Sequence, residues 1–219
     1  MYNKTVVEDE LKMIQIIQAE KVKLYDLEKN FQLKLSEDKN FFSEWKEDLP
    51  ELSEIEKQQL DQVKASYFNL TKRSMLEDMV KMVVLSPLLS NSGFYLPPFY
   101  STSESSVEIS DEDEGVTIRG KIDVLVLQEQ LWVIVIESKQ AGFSLEVGIP
   151  QALAYMLANP QQNKPVFGLV TNGGNFIFMK MTRREQAISP DFSRYVEKAI
   201  FTFSQTLVFR SLLSLVLSY

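Results

Sequence analysis

Apolar residues change their spacing twice along this chain. From about Val6 to Leu35 they recur among charges at Leu11, Ile14, Ile17, Val22, Leu24, Leu27 and Phe31, a near-helical repeat that predicts one long amphipathic helix. After the aromatic-bearing turn NFFSEWKEDLP, Ser53 and Glu56 stand three residues apart. That is the spacing of a capping box, and it opens a second expected helix through Val63, Tyr67 and Leu70. A third helix is expected over SMLEDMVKMVVLSPLL. It should end near Pro87, because proline lacks the N–H that would continue the ladder.

The Pro-, Ser- and acid-rich stretch from Gly93 to Gly115 resets the pattern, and from there the chain reads as α/β. Strands are expected near 116–127, 131–139, 166–171 and 175–181, with a helix near 146–158 between the second and third. SSVEIS is a further candidate strand, leading into the acidic turn DEDEG. The last segment, FSQTLVFRSLLSLVLSY, reads as a buried terminal helix, since Arg210 and its Ser, Thr and Gln residues do not suit a membrane span. The fold class is therefore α/β, preceded by helices.

Composition narrows the chemistry sharply. The 219 residues contain no cysteine and no histidine, which excludes disulfides, thiolate nucleophiles, Cys or His metal sites and a Ser-His triad. Carboxylate, lysine, tyrosine and backbone remain, a set that favours hard cations such as magnesium or manganese. No early apolar run follows a basic start, so a cytoplasmic address is expected. The net charge of −7 argues at first against a polyanionic partner. Its distribution softens the objection: residues 1–70 carry 10 Lys/Arg against 15 Asp/Glu, Ser101 to Glu114 carries six acids and no base, and residues 115–219 carry 10 Lys/Arg against 7 Asp/Glu.

The densest chemistry lies in RGKIDVLVLQEQLWVIVIESKQ, Arg119 to Gln140. Alternation puts Val133, Val135, Glu137 and Lys139 on one face of a strand, and Trp132, Ile134 and Ile136 on the other. A tight turn near Glu129 and Gln130 would bring Asp123 opposite or diagonally opposite Glu137 on that face. Two buried carboxylates repel each other, so such a pair binds a cation, shares a proton or stays hydrated. Carboxylates that hold magnesium, with a lysine that orients water, are a set suited to phosphodiester hydrolysis. Spacing alone leaves a second reading open, in which Asp123 ends or bulges a strand and Glu137 and Lys139 form an exposed pair contributing about 0–1 kcal/mol.

Three further stretches join this one. They are QALAY (Gln151 to Tyr155), GLVTNGGNFIFMK, and EDMVKMVVLSPLL, in which Glu77 precedes Pro87 by ten residues. With KIDVLVL and WVIVIESKQA, they resemble the PD-(D/E)xK nuclease superfamily, and more narrowly the N-terminal nuclease domain of type I restriction enzyme R subunits. The resemblance covers about residues 74–182 in the expected order. It implies a restriction endonuclease-like core, a mixed central sheet flanked by helices, over residues 74–219, with an N-terminal helical extension over 1–73. It also implies a magnesium- or manganese-dependent nuclease acting on DNA, with Asp123, Glu137 and Lys139 catalytic. Asp123, Glu137, the Ser138 backbone carbonyl and, through water, Glu77 would hold the metal, and Gln151 and Tyr155 would support the site or touch the DNA backbone. Two positions depart from the pattern: Lys81 stands where the family has arginine, and Ile122 where the superfamily often has proline. No Walker phosphate loop appears, so no translocating motor is expected in this sequence.

Simpler roles compete at several positions. Glu77 follows Ser74 at capping-box spacing; Gln151 and Tyr155 share a helix face at i and i+4, where Tyr155 could simply pack on Phe143. Thr171-Asn172-Gly173-Gly174 is first a hairpin turn, with its amides near phosphate as a minor role. Lys164, Lys180, Arg183 and Arg184 are candidate phosphate contacts. A different class of function is also open: a binding or assembly module of the same fold, with the N-terminal helices recruiting a protein partner or forming a homodimer.

Overall fold

A computed structural model describes residues 15–36, 38, 41, 50–111, 115–161, 163–183 and 190–197. The N-terminal part carries helices, but not the single long one expected from Val6 to Leu35. Over the described residues that helix is replaced by strand β1 (Gln15–Gln18), a 3-10 turn at Ala19–Lys21, helix α1 (Leu24–Asn30) and the short strand β2 (Lys34–Leu35). The physical reason is a non-local one. β1 pairs in parallel with the strand beginning at Val116, Gln15 against Val116 through Gln18 against Arg119, and this ladder outweighs local helix propensity. Of the apolar residues that suggested the helix, Val22 and Leu27 are buried in one core cluster together with Ala19 and Leu33, and Ile17, Leu24 and Phe31 pack against it.

Helix α2 (Glu54–Thr71) opens as expected. The Ser53 N–H donates to Glu56 Oε2 at 2.7 Å and the Glu56 N–H donates to Ser53 Oγ at 3.3 Å. Its inward stripe is Leu60, Val63 and Tyr67. The third helical region differs from expectation at its end. Helix α3 (Glu77–Val80), a π-helical segment (Lys81–Leu85) and helix α4 (Ser86–Asn91) run on without a break through Pro87. The Ser86 N–H bonds the Lys81 carbonyl, five residues back. That wider turn restarts the ladder, so Pro87 falls in the first turn of α4, where no N–H is needed.

The expected strands then form as β3 (Phe99–Asp111, which contains SSVEIS), β4 (Val116–Gln128), β5 (Leu131–Ser138), β6 (Val166–Thr171) and β7 (Phe176–Arg183). Helix α5 (Ile149–Leu157) connects β5 to β6, and β8 (Pro190–Glu197) follows β7. The sheet order is β1-β4-β5-β6-β7-β8-β2, with β3 also on β4. Because β3 runs along the whole of β4, β1 and β5 share β4's other edge. β5 and β6 are parallel across the α5 crossover, while β4–β5 and β6–β7 are antiparallel. The result is a mixed sheet with α2 to α4 over one face, through Tyr67, Val80, Val84 and Leu88, and α1 and α5 over the other, through Leu27, Leu153 and Met156. Residues 112–114 of the acidic turn and the expected terminal helix over residues 203–219 lie outside the described residues.

One irregularity in this sheet decides where the acids point. Across the two-residue turn Gln128 pairs with Leu131 and Leu127 with Trp132, but Val126 then pairs with Ile134. Val133 is the extra residue of a bulge. Had the first register continued, Asp123 would face Ile136, and Glu137 would project from the opposite side of the sheet. With the bulge, Val124 pairs with Ile136, and the next opposed residues are Asp123 and Glu137. The strict alternation expected for β5 is corrected accordingly: Val133 joins Ile134 and Ile136 in one cluster, while Trp132 and Val135 belong to the other.

Candidate active site

The acids sit where β5 ends and the chain leaves for α5, the carboxyl end of a strand at which open α/β sheets form ligand crevices. Asp123 is 8% exposed. Its Oδ2 accepts from the Ser138 N–H at 2.7 Å and from Ser138 Oγ at 2.8 Å, while Oδ1 lies 3.3 Å from Lys81 Nζ. Glu137 is 2% exposed, and its Oε1 accepts from Lys139 Nζ at 2.6 Å. Its other oxygen, Oε2, is buried without a hydrogen-bond partner. Burial, and next the Asp123 charge, push the Glu137 carboxyl up to about 8, against the pull of the Lys139 ammonium.

A chain of hydrogen bonds fixes Lys139. Nζ donates to Gln151 Oε1 at 2.9 Å, and Gln151 Nε2 donates to Tyr155 Oη at 2.9 Å. Gln151 and Tyr155, four residues apart on α5, are both buried; Phe143, the alternative packing partner for Tyr155, is exposed. Burial holds the Tyr155 hydroxyl well above its usual range, so it stays protonated and acts as a neutral hydrogen-bond partner. Two glycines allow this packing. A Cβ on Gly148, just before α5, would lie 2.7 Å from Val170 Cγ1 and 3.2 Å from Lys139 Cε. A Cβ on Gly120 of β4 would lie 2.8 Å from Tyr155 Cε1.

The loop after Lys139 is tied on two sides. Lys139 N donates to the Thr171 carbonyl at 2.7 Å, Asn172 Nδ2 donates to the Phe143 carbonyl at 2.8 Å, and Ala141 N donates to the Met75 carbonyl at 3.2 Å. Within the turn, the amides of Gly173 and Gly174 donate to Thr171 Oγ1 and Asn172 Oδ1 at 3.0 and 3.1 Å. Thr171–Gly174 is therefore a structural clamp with its amides already bonded, not a phosphate cradle.

Glu77 lies one ammonium away from Asp123: its Oε1 is 3.6 Å from the same Lys81 Nζ. Burial and the Asp123 charge raise its carboxyl above the ordinary value. Among the candidate phosphate contacts, Lys180 is engaged elsewhere, donating to the Phe41 carbonyl at 2.9 Å and lying 5.3 Å from the Phe41 ring centroid. Lys164 is exposed, and the side chains of Arg183 and Arg184 fall outside the described residues.

The structure thus draws Asp123, Glu137, Lys139, Gln151 and Tyr155 together, with Glu77 at the margin. Sequence reasoning missed the Ser138 hydroxyl, Lys81 as the partner of Asp123, and Asn172 as the lock on the loop. Nothing in periodicity marks Ser138 or Asn172; Lys81 was visible as a basic residue four positions after Glu77. Among the described residues, no three acidic side chains converge tightly enough to hold a metal ion by themselves. The donors suited to a hard cation are Asp123 and Glu137, and the unpartnered, buried Glu137 Oε2 is an oxygen that a cation would satisfy.

Residues 7–187 match the family described as "Type I restriction enzyme R protein N terminus". Among solved structures, a fragment described as an HsdR subunit of a type I restriction enzyme from Vibrio vulnificus matches at 20% identity and a TM-score of 0.38, over 48% of this chain and 21% of that one. The matched region is therefore a small part of that chain's length. No curated protein matches the sequence.

Proposed function

This chain belongs to the type I restriction enzyme R protein N-terminal family, and from that premise we propose that it is a metal-dependent deoxyribonuclease hydrolysing phosphodiester bonds at Asp123, Glu137 and Lys139. The observation that carries the reading is the buried Glu137 carboxylate: one oxygen is bonded to Lys139 at 2.6 Å, the other has no partner, and Asp123 stands in the opposed position on β4.

Asp123 and Glu137 would hold a magnesium or manganese ion, joined by the Ser138 backbone carbonyl and, through water, by Glu77. Such an ion neutralises charge on the phosphate and acidifies bound water. The rest is done by side chains of this chain. Ser138 occupies Asp123 Oδ2 through two hydrogen bonds, which fixes the rotamer and leaves Oδ1 as the oxygen facing the site. Lys139, an ammonium shared by Glu137 and Gln151, has a third N–H to orient the attacking water or to stabilise charge developing on a phosphate oxygen. Gln151 sets the position of Lys139, and Tyr155 sets that of Gln151. DNA is the proposed substrate and the cytoplasm the proposed location. Among the described residues no helix is long and apolar enough to cross a membrane.

The test is hydrolysis of plasmid and single-stranded DNA in magnesium and in manganese, comparing wild type with Glu137→Ala and Lys139→Ala. The reading expects cleavage by wild type and its loss in both variants. Equal rates across all three would sink the catalytic reading and favour a binding or assembly module of the same fold.

A further inference from the structure

Lys81 stands inside a group of acids that the proposed chemistry does not explain. Its Nζ is 3.3 Å from Asp123 Oδ1, 3.3 Å from Asp78 Oδ1, 3.6 Å from Glu77 Oε1 and 3.9 Å from Glu104 Oε1. Four elements build this arrangement, Asp123 coming from β4. Glu77 and Asp78 open α3, Lys81 begins the π-helical segment, and Glu104 lies in β3 at a left-handed residue, φ 54°, skipped by the β3–β4 pairing between Ser103 and Ser105. Asp78, Lys81, Glu104 and Asp123 line one cleft of about 650 Å³. Burial opposes charge on Lys81, but Asp123, Asp78 and Glu77 outweigh it and hold the amine well above the ordinary lysine range, so it remains an ammonium at any ordinary pH.

The two oxygens of Asp123 are divided between two partners. Ser138 takes Oδ2, and Lys81 takes Oδ1, the oxygen that a metal ligand would have to present. We propose that Lys81 is a tethered cation that stands in for the divalent ion at Asp123 in the free protein, so that metal loading is a displacement of one cation by another. The idea rests on the reading of Asp123 as a metal ligand. Asp78 and Glu104, on the cleft side, give the displaced ammonium a second seat. Lys81 is thus a positioning residue that sets how readily the site loads. A phosphate entering the cleft would give it another anionic partner, so polyanion binding and metal binding should strengthen each other.

The experiment is titration of the whole chain with manganese alone, followed by electron paramagnetic resonance, for wild type, Lys81→Met and Lys81→Arg. Lys81→Met removes the competing charge at similar length, and its affinity should rise about tenfold or more, because a cation beside the site opposes entry of another. Lys81→Arg keeps the charge and should stay within about threefold of wild type. Thermal melting guards against a folding defect: manganese should raise the melting temperature of Lys81→Met by more than that of wild type. Manganese bound by wild type but equally or more weakly by Lys81→Met, or no larger thermal gain in that variant, would overturn the role of Lys81 alone. No binding by any of the three proteins would remove the metal site itself, and this inference with it.

Discussion

The two sides of the site are held by different physics. On the α5 side, Glu137, Lys139, Gln151 and Tyr155 form a chain of bonds between 2.6 and 2.9 Å, among side chains that are buried or nearly so. On the α3 side, Lys81 meets its acids at 3.3 to 3.9 Å, and Asp78 and Glu104 are exposed. A buried chain of directional bonds specifies geometry, because each member left unpaired costs about 1–3 kcal/mol. A half-exposed ring of charges specifies local potential instead, since solvent and salt screen any single pair. Interference with the first side should therefore change rate and stability together, whereas changes on the second should move cation affinity with little loss of fold.

The largest effect should come from Lys139→Ala, with turnover falling by about a hundred- to ten-thousandfold, the range for loss of a positioned proton-transfer or charge-stabilising group. Single-turnover cleavage assays measure it, and a loss below tenfold would break the asymmetry. Next is Gln151→Leu, which cuts the link between Lys139 and Tyr155. It leaves a buried hydroxyl unpaired, so it should cost about 1–3 kcal/mol in denaturant unfolding as well as slowing cleavage.

A third test uses pH. The raised carboxyl of Glu137, about 8 against an ordinary 4.5, means that between those values the native state holds more proton than the unfolded chain. Stability of the metal-free protein should therefore fall as pH rises through that window. Asp123 and Glu77 push in the same direction and Lys139 opposes them. Melting curves across this range should show the decline in wild type and a flatter profile in Glu137→Gln; the same slope in both would assign it to other groups. Smallest of all, removal of the exposed Arg119–Glu108 pair, with both side chains about half exposed, should change stability by about 0–1 kcal/mol and leave cleavage untouched.

The strands were legible because short apolar runs rich in Val, Ile and Phe are bounded by turn residues, and the Ser53 cap because its two bonds are local. What escaped sequence reasoning depends on partners far along the chain. β1 is a strand only because an edge of β4 is open to it, and Pro87 is tolerated only because a π-helical turn precedes it. The structure brings Asp123, Glu137, Lys139, Gln151 and Tyr155 together, but the expected juxtaposition of Asp123 and Glu137 rested on a reason that omits a step. A two-residue turn alone puts Asp123 and Glu137 on opposite faces, and the bulge at Val133 returns them to one. No feature of a run such as LWVIVIES marks which valine is the extra residue. Ser138 and Asn172 were invisible for a related reason: their hydrogen bonds reach across 15 and 29 residues of chain, and small polar side chains carry no periodic signal.

The central claim is that the unpartnered, buried oxygen of Glu137 belongs to a metal ligand. Calorimetric titration of manganese at pH 7, in two buffers of different ionisation enthalpy, tests it most directly. Burial and the Asp123 charge hold the Glu137 carboxyl above its ordinary value, so metal binding, which favours the carboxylate, should release protons in wild type, and Glu137→Gln should bind weakly without that release. Binding without proton release, or the same release in Glu137→Gln, would contradict the assignment.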